Sequence, residues 1–178
     1  MIKNNQTLSL SVVIPVYNEQ QTIKTVIRTV SNSKIVNEIV IVDDCSVDNS
    51  VPIIKDTIDK MLQEKTHLNI LFSQNKRNLG KGASLRAGFK LATCDVIVIQ
   101  DADLEYDPGE YERLIQPIID GNADVVYGSR FIGGTHRVLY FWHYMGNKML
   151  TLMSNMFSNL NLTDMETCYK MFRRDILD

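Results

Sequence analysis

The stretch Val96–Pro108, "VIVIQDADLEYDP", decides the reading of this chain. Four consecutive apolar residues, Val96 to Ile99, read as a buried strand. After Gln100 the side chains change character. Asp101, Asp103, Glu105 and Asp107 crowd four carboxylates into seven positions. Like charges this close repel unless a cation sits among them. In an extended segment residues two apart face the same way, so Asp101 and Asp103 are expected to share one cation, with Glu105 nearby. Oxygen ligands favour Mg²⁺ or Mn²⁺, and a cation held by few protein groups completes its shell with substrate phosphates. The plain alternative is a solvated acidic loop, because a bare D-x-D is common. Its place directly after an apolar strand favours the metal.

Outward from this stretch, strand and helix patterns alternate. "LSLSVVIPV", "EIVIVDD", "LNILFS" and "ADVVYGSR" read as further strands. Between them lie helical patterns. Ile23, Val26, Ile27 and Val30 form one, and Asn18 with Gln21 is expected to start it as a capping box. Val51, Ile54, Ile58 and Met61 form the next. "GKGASLRAGFKLA" opens a third, and Tyr111, Leu114, Ile115, Ile118 and Ile119 mark a fourth that Pro117 would kink or shorten. Strands separated by helices imply an α/β fold, a mostly parallel sheet with helices on both faces. Such sheets bind ligands beyond the carboxyl ends of their strands. "PVYNE", "DDCSVD", "SQNKRNLGKG", "DADLE" and "GSR" all follow strands, so five polar loops should meet at one edge.

Bulk properties narrow the function. At 178 residues the chain suits one domain with a real core. A net charge of -2 gives no general attraction to nucleic acid. An anionic ligand must be held by a local basic cluster. Cys45, Cys94 and Cys168 are odd in number and far apart, which fits a reducing, cytosolic setting and no zinc site. No signal peptide or membrane span is legible, and the sequons at Asn5 and Asn161 read as chance.

Each remaining loop has a plain reading and a functional one. Asp43 and Asp44 end a strand and can accept hydrogen bonds from base N–H groups or ribose hydroxyls. Asp48 and Ser46 are expected to do no more than cap a helix. "NKRNLGKGASLRAG" joins Lys76, Arg77 and Lys81 to Gly80, Gly82 and Gly88, a combination that suits anions at a helix start. It is neither G-x-G-x-x-G nor a Walker A loop. Arg130, His136 and Arg137 flank the pair Gly133-Gly134, a basic loop suited to phosphate, although His136 alone reads as surface. In "VLYFWHYMGNKMLTLMSNMFSNLN", Met145, Met149, Leu152, Met153, Met156 and Leu160 have helical spacing, and the default expectation is a core-facing helix. The rival is that the aromatic cluster from Tyr140 to Tyr144 lies at a membrane interface.

Taken in order, "VVIPVYNE", "IVDDCSVDNS", "NLGKGASLRAG", "DADLEYDP" and "GSR" resemble the family 2 glycosyltransferases of GT-A fold. Within them, the polyprenyl- and dolichyl-phosphate sugar transferases are most similar. The likeness runs from about Leu10 to Arg174. It implies that Pro15, Tyr17 and Glu19 line the nucleotide site, that Asp44 recognises the base, and that Lys81 lies near the nucleotide. It implies that Asp101 and Asp103 hold Mg²⁺ or Mn²⁺ and the donor diphosphate, with Glu105 completing the metal shell, and that Arg130 meets phosphate. "DMETCYKMFRR" resembles the family's late acidic segment and places Asp164 and Glu166 near the acceptor.

Residues 1–178 then read as one GT-A catalytic domain, working in the cytoplasm at the inner face of the membrane. Two departures stand out. Cys45 occupies a position where glycine is usual, which calls for a different turn. The chain stops just after the late acidic segment, where many relatives continue with amphipathic or transmembrane helices; either it is truncated or attachment comes from elsewhere. The expected reaction is inverting transfer of glucose or mannose from a UDP- or GDP-sugar to a polyprenyl phosphate. Such a phosphate, with a second pKa of about 6, needs no base. A saccharide hydroxyl acceptor, as in cell-surface polysaccharide synthesis, would need one, from Asp164 or Glu166. A nucleotidyltransferase and a non-catalytic nucleotide-binding module are the remaining rivals.

Overall fold

The computed structural model describes residues 8–64, 68–129, 141–167 and 169–177. The apolar runs form the strands β1 (Leu10–Val16), β2 (Val36–Asp43), β3 (Asn69–Gln74), β4 (Val96–Ile99) and β5 (Val125–Tyr127). The helices are α1 (Ile23–Ser31), α2 (Ser50–Gln63), α3 (Lys81–Leu91), α4 (Tyr111–Ile119) and α5 (Phe141–Ser158). A sixth strand, β6 (Lys170–Arg173), follows α5.

The sheet order is β3-β2-β1-β4-β6-β5. β1 to β4 are parallel, and β6 runs antiparallel between β4 and β5. The segment carrying β6 is the one expected only to be the late acidic segment. Its signal was period two: Tyr169 and Met171 are buried and point inward, while Lys170 and Phe172 are less so.

Alternation along the strands makes two cores. Leu10, Val12, Ile14, Ile39, Ile41, Val96 and Val98 pack against the apolar stripes of α1, α2 and α4. On the other face Val13, Val40, Val42 and Ile97 meet Leu85, Ala87 and Phe89 of α3. Gly88 is what lets α3 lie close: a Cβ there would stand 2.4 Å from Val13 Cγ1. Chain direction reverses its spatial order between β1 and β4, the position where open α/β sheets leave a crevice.

Two local expectations are corrected. Asn18 does not cap α1; its φ is 57°, and Thr22 is the N-cap without a side-chain cap bond. Asn18 instead ties the loop after β1 to the loop after β2, accepting from the Val47 amide at 2.9 Å and donating its own amide to Ser46 Oγ at 2.9 Å. The methionines of α5 do not face the core. Met149, Leu152, Met156 and Phe157 are exposed, and the residues turned inward are Asn147 and Thr151. A polar strip on the body outcompetes the apolar stripe for the inner face.

Candidate functional site

A cavity of about 300 Å³ opens at the carboxyl ends of β1, β2 and β4. Four loops line it. β1 contributes Pro15, Val16, Tyr17 and Glu19; β2 contributes Asp44; the turn into α3 contributes Asn78, Gly80, Lys81 and Ser84; β4 contributes Asp101, Ala102 and Asp103. The four expected nucleotide-site residues of the first two loops, Pro15, Tyr17, Glu19 and Asp44, are thus together with Lys81, Asp101 and Asp103. The fifth loop begins at Gly128 and Ser129; Arg130, His136 and Arg137 lie outside the described residues.

Hydrogen bonds that cross between loops fix this rim. Glu19 donates its amide to Ser50 Oγ at 2.8 Å, and Glu19 Oε2 accepts from Thr22 Oγ1 at 2.9 Å. Asp48, expected only to cap, does cap Ser50 at 2.9 Å but also takes the Gln20 amide at 3.1 Å. Cys45 has φ 62°, the left-handed conformation that glycine would adopt without strain. The Cys-for-glycine departure therefore keeps the turn and strains it.

Asp44 is almost fully buried and organises the glycine-rich turn. Its Oδ1 accepts from Asn75 Nδ2 at 2.7 Å and from the Leu79 amide at 3.0 Å, and its Oδ2 from the Gly80 amide at 2.7 Å. Burial pushes its carboxyl up, but the bonds from Leu79, Asn75, Gly80 and Ser84 outweigh that and hold it below the usual carboxylate range. Gly80, at φ 84°, makes the turn, and α3 then begins at Lys81 with its N-terminus on the cavity. The sequence reading singled out the cations of this loop and passed over Asn75, Asn78 and Ser84. Polar side chains at fixed offsets from the glycines were the available signal.

The acidic segment is a turn rather than an extended strand, with Leu104 at φ 61°. Asp103 Oδ1 accepts the Glu105 amide at 3.1 Å. Behind the turn, Gln100 is buried. Its Oε1 takes the hydroxyls of Tyr111 at 2.6 Å and Tyr169 at 2.9 Å, and its Nε2 donates to the Asp101 carbonyl at 3.0 Å. Neither tyrosine nor Gln100 was anticipated as a support for the aspartates.

Lys81 Nζ lies 2.5 Å from Asp101 Oδ1. An ammonium thus stands where the acidic pair would take a cation, which fits the donor set to a hard divalent ion. Among the described residues no three His, Cys, Asp or Glu side chains cluster as a metal site. Glu105 is exposed and is not among the cavity-lining residues. Asp101 and Asp103 can supply part of a shell, and phosphate oxygens would supply more.

The late acidic residues separate. Asp164 is buried and accepts from Asn147 Nδ2 at 3.1 Å and the Glu166 amide at 3.2 Å, so it anchors α5 to the body. Glu166 is exposed. Thr167 Oγ1 donates to the Gly128 carbonyl and ties this segment to the end of β5.

Comparison with known proteins agrees with this architecture. Residues 11–178 match the family model described as Glycosyl transferase family 2. The chain is 31% identical over 176 residues, 95% of its length, to the undecaprenyl-phosphate 4-deoxy-4-formamido-L-arabinose transferase of Proteus mirabilis. It is 29% identical over 182 residues to the protein of that name in Yersinia enterocolitica. It spans about half the length of these relatives, 50% and 53%. Among solved structures, a mannosyltransferase from Pyrobaculum calidifontis in complex with GDP-Man and Mn²⁺ superposes with TM-score 0.70 at 18% identity, covering 97% of this chain and 46% of that one. Glucosyl-3-phosphoglycerate synthase from Mycobacterium tuberculosis, with Mn²⁺, UDP-glucose and phosphoglyceric acid, gives 0.69 at 18% identity, covering 95% and 58%. These likenesses show a GT-A-like α/β fold. The chain belongs to glycosyl transferase family 2.

Proposed function

We propose that this chain transfers a sugar from a nucleotide sugar to an acceptor, with Mg²⁺ or Mn²⁺ bound together with the donor. The observation that carries the reading is the convergence of Tyr17, Glu19, Asp44, Lys81, Asp101 and Asp103 on one cavity at the sheet's topological switch. The β1 and β2 ends form the nucleoside side, where Asp44 shapes the floor against the base and Tyr17 offers a ring. The α3 N-terminus and Lys81 favour the diphosphate. A cation held by Asp101 and Asp103 would neutralise the leaving diphosphate. Gln100 holds the backbone of Asp101 in place.

Two acceptors have support. The relatives named for undecaprenyl phosphate favour a lipid phosphate, placed at the inner face of the membrane, with Arg130 and Arg137 of the basic loop to meet it. A saccharide hydroxyl would need a base, and with Asp164 occupied in holding α5 that role falls to Glu166, the other late carboxylate. Attack would then invert the anomeric carbon.

The test is turnover of UDP- and GDP-sugars with Mn²⁺ or Mg²⁺, with no acceptor, with a short polyprenyl phosphate, and with oligosaccharides. Metal-dependent release of nucleoside diphosphate that one acceptor stimulates identifies donor and acceptor together. Release of pyrophosphate from a nucleoside triphosphate would instead make the chain a nucleotidyltransferase. Binding of donor without release under any acceptor would leave a nucleotide-binding module.

A further inference from the structure

The face that α5 turns to solvent is the least soluble part of the molecule. Along its inner edge Asn147, Thr151 and Asn155 recur every four residues and bind the body. Asn147 reaches Asp164, Thr151 Oγ1 takes the Met165 amide at 3.3 Å, and Asn155 exchanges two hydrogen bonds with the Leu162 backbone at 2.8 and 2.9 Å. The outer side carries Phe141, Trp142, Met149, Leu152, Met156 and Phe157. Trp142 is 79% exposed and Phe157 85%. Scattered apolar residues on a surface are ordinary; a contiguous helix face of them marks a contact.

Charge says what kind of contact. Between Val125 and Thr163 there is not one Asp or Glu, although the chain has 21, while Arg130, Arg137 and Lys148 all fall there. Lys148 is exposed at the edge of this face, its Nζ 5.6 Å from the centroid of the Tyr144 ring. An acid-free helix face of aromatic and apolar side chains edged by Lys148, in a stretch of sequence whose other strongly charged residues are arginines, complements anionic lipid headgroups. No helix among the described residues is long and apolar enough to cross a membrane. The hydrogen bonds of Asn147, Thr151 and Asn155 also hold α5 to the body. Both facts require the helix to lie in the plane of the surface.

We infer that the outer face of α5 docks on a bilayer containing anionic lipid, with Trp142 and its aromatic neighbours entering the headgroup region. The inference rests on this face and its charge, and holds for either acceptor. It does not depend on donor chemistry.

Trp142 is the chain's single tryptophan, so intrinsic fluorescence reads this face directly. The 178-residue chain would be mixed with phosphatidylcholine vesicles, with and without about 30 mol% phosphatidylglycerol. The expected result is a blue shift and quenching by brominated acyl chains with the anionic vesicles, reversed by salt. Met149→Glu with Met156→Glu should weaken vesicle binding at least tenfold while nucleotide binding is unchanged, since neither methionine lines the cavity. Emission that stays at its solvent-exposed wavelength with both vesicle types overturns the inference. So does emission already blue in buffer: a shift that grows with protein concentration would identify a second copy, and one independent of concentration would mean that another part of the protein covers the face. Vesicle binding by a chain that takes no nucleotide would leave this inference standing and remove the proposed function.

Discussion

Removing the Glu38 carboxylate tests whether the end of the sheet opposite the cavity is held by one buried charge. Glu38 is 1% exposed. Its Oε1 accepts from Ser11 Oγ at 2.6 Å and the Thr93 amide at 2.8 Å; its Oε2 accepts from Thr93 Oγ1 at 2.8 Å and Asn69 Nδ2 at 2.8 Å. Ser11 Oγ in turn accepts the Cys94 amide at 3.2 Å. One carboxylate therefore joins β1, β2, β3 and the entry to β4. Hydrogen bonds to a charged group are worth about 1.5–3 kcal/mol each, but water entering the space left by truncation satisfies some of the donors. Glu38→Ala is expected to cost roughly 3–5 kcal/mol in all. At an m-value of about 2 kcal/mol/M this lowers the urea midpoint by about 2 M.

Glu38→Gln should cost less, about 1–2 kcal/mol. Its amide can occupy the Oε2 side, where Asn69 can flip and the Thr93 hydroxyl can rotate to accept. The two variants also differ from wild type in acid. Burial raises the Glu38 carboxyl, and the bonds from Ser11, Thr93 and Asn69 more than reverse this, so its folded value lies below the ordinary 4.5. A depressed value means the stabilisation is complete above the unfolded value and is lost as pH falls through the folded one. Wild type should lose stability over that interval, and Glu38→Gln should lose less. Urea titrations between pH 7 and 3 measure both effects. A Glu38→Ala midpoint within 0.5 M of wild type, by the same m-value of about 2 kcal/mol/M, would refute the reasoning.

The remaining expectations concern the opposite end and the α3 contact. Gly88→Ala gains about 1 kcal/mol of helix propensity but drives a Cβ to 2.4 Å from Val13 Cγ1, an overpacking that costs about 1–3 kcal/mol, so thermal melting should fall and a rise would contradict the packing. Asp44→Asn must set an N–H₂ against the amide of Leu79 or Gly80, which costs about 2–3 kcal/mol. Calorimetry should show nucleoside diphosphate affinity reduced at least tenfold. Lys81→Met removes the ammonium from Asp101, so Mn²⁺ binding without nucleotide, read by electron paramagnetic resonance, should tighten; unchanged affinity would mean the ion pair does not compete. Cys45→Gly relaxes a φ of 62° and should stabilise by about 0.5–1 kcal/mol, visible as a higher urea midpoint.

What could be read from the sequence followed from how local each signal is. The runs 12–16, 39–42 and 96–99 are apolar throughout because both faces are covered, and parallel order follows from the helices between them. The residues at the strand ends were legible because topology alone sends them to one edge. β6 was missed because its four residues follow a polar segment and pair with β4 and β5, far away in sequence. The inner face of α5 was misread because hydrophobic spacing ordinarily points to the core. Here the deciding partners are Asp164, Leu162 and Met165, which come after the helix, and no periodicity within α5 announces them. Gln100 carried no signal of its own; its role needs Tyr111 and Tyr169, brought to it by α4 and by the lead into β6.

The two ends of the sheet treat carboxylates in opposite ways, and that contrast separates structure from chemistry. Glu38 is surrounded by donors that cannot leave: a backbone amide, two hydroxyls and an amide side chain, all on strands or their junctions. Asp44 is held likewise, by the amides of a turn. Asp101 is instead met by Lys81, a long side chain that is 55% exposed. A fixed dipole satisfies a charge permanently, whereas a flexible, solvated cation does so at a cost of about 1 kcal/mol or less to displace. The fold therefore commits Glu38 and Asp44 to holding the frame and leaves Asp101, steadied from behind by Gln100, beside the only kind of partner that can give way to a divalent ion and its phosphates. If the cavity served merely to end the strands, burial of Asp101 against fixed donors would be the more stable solution.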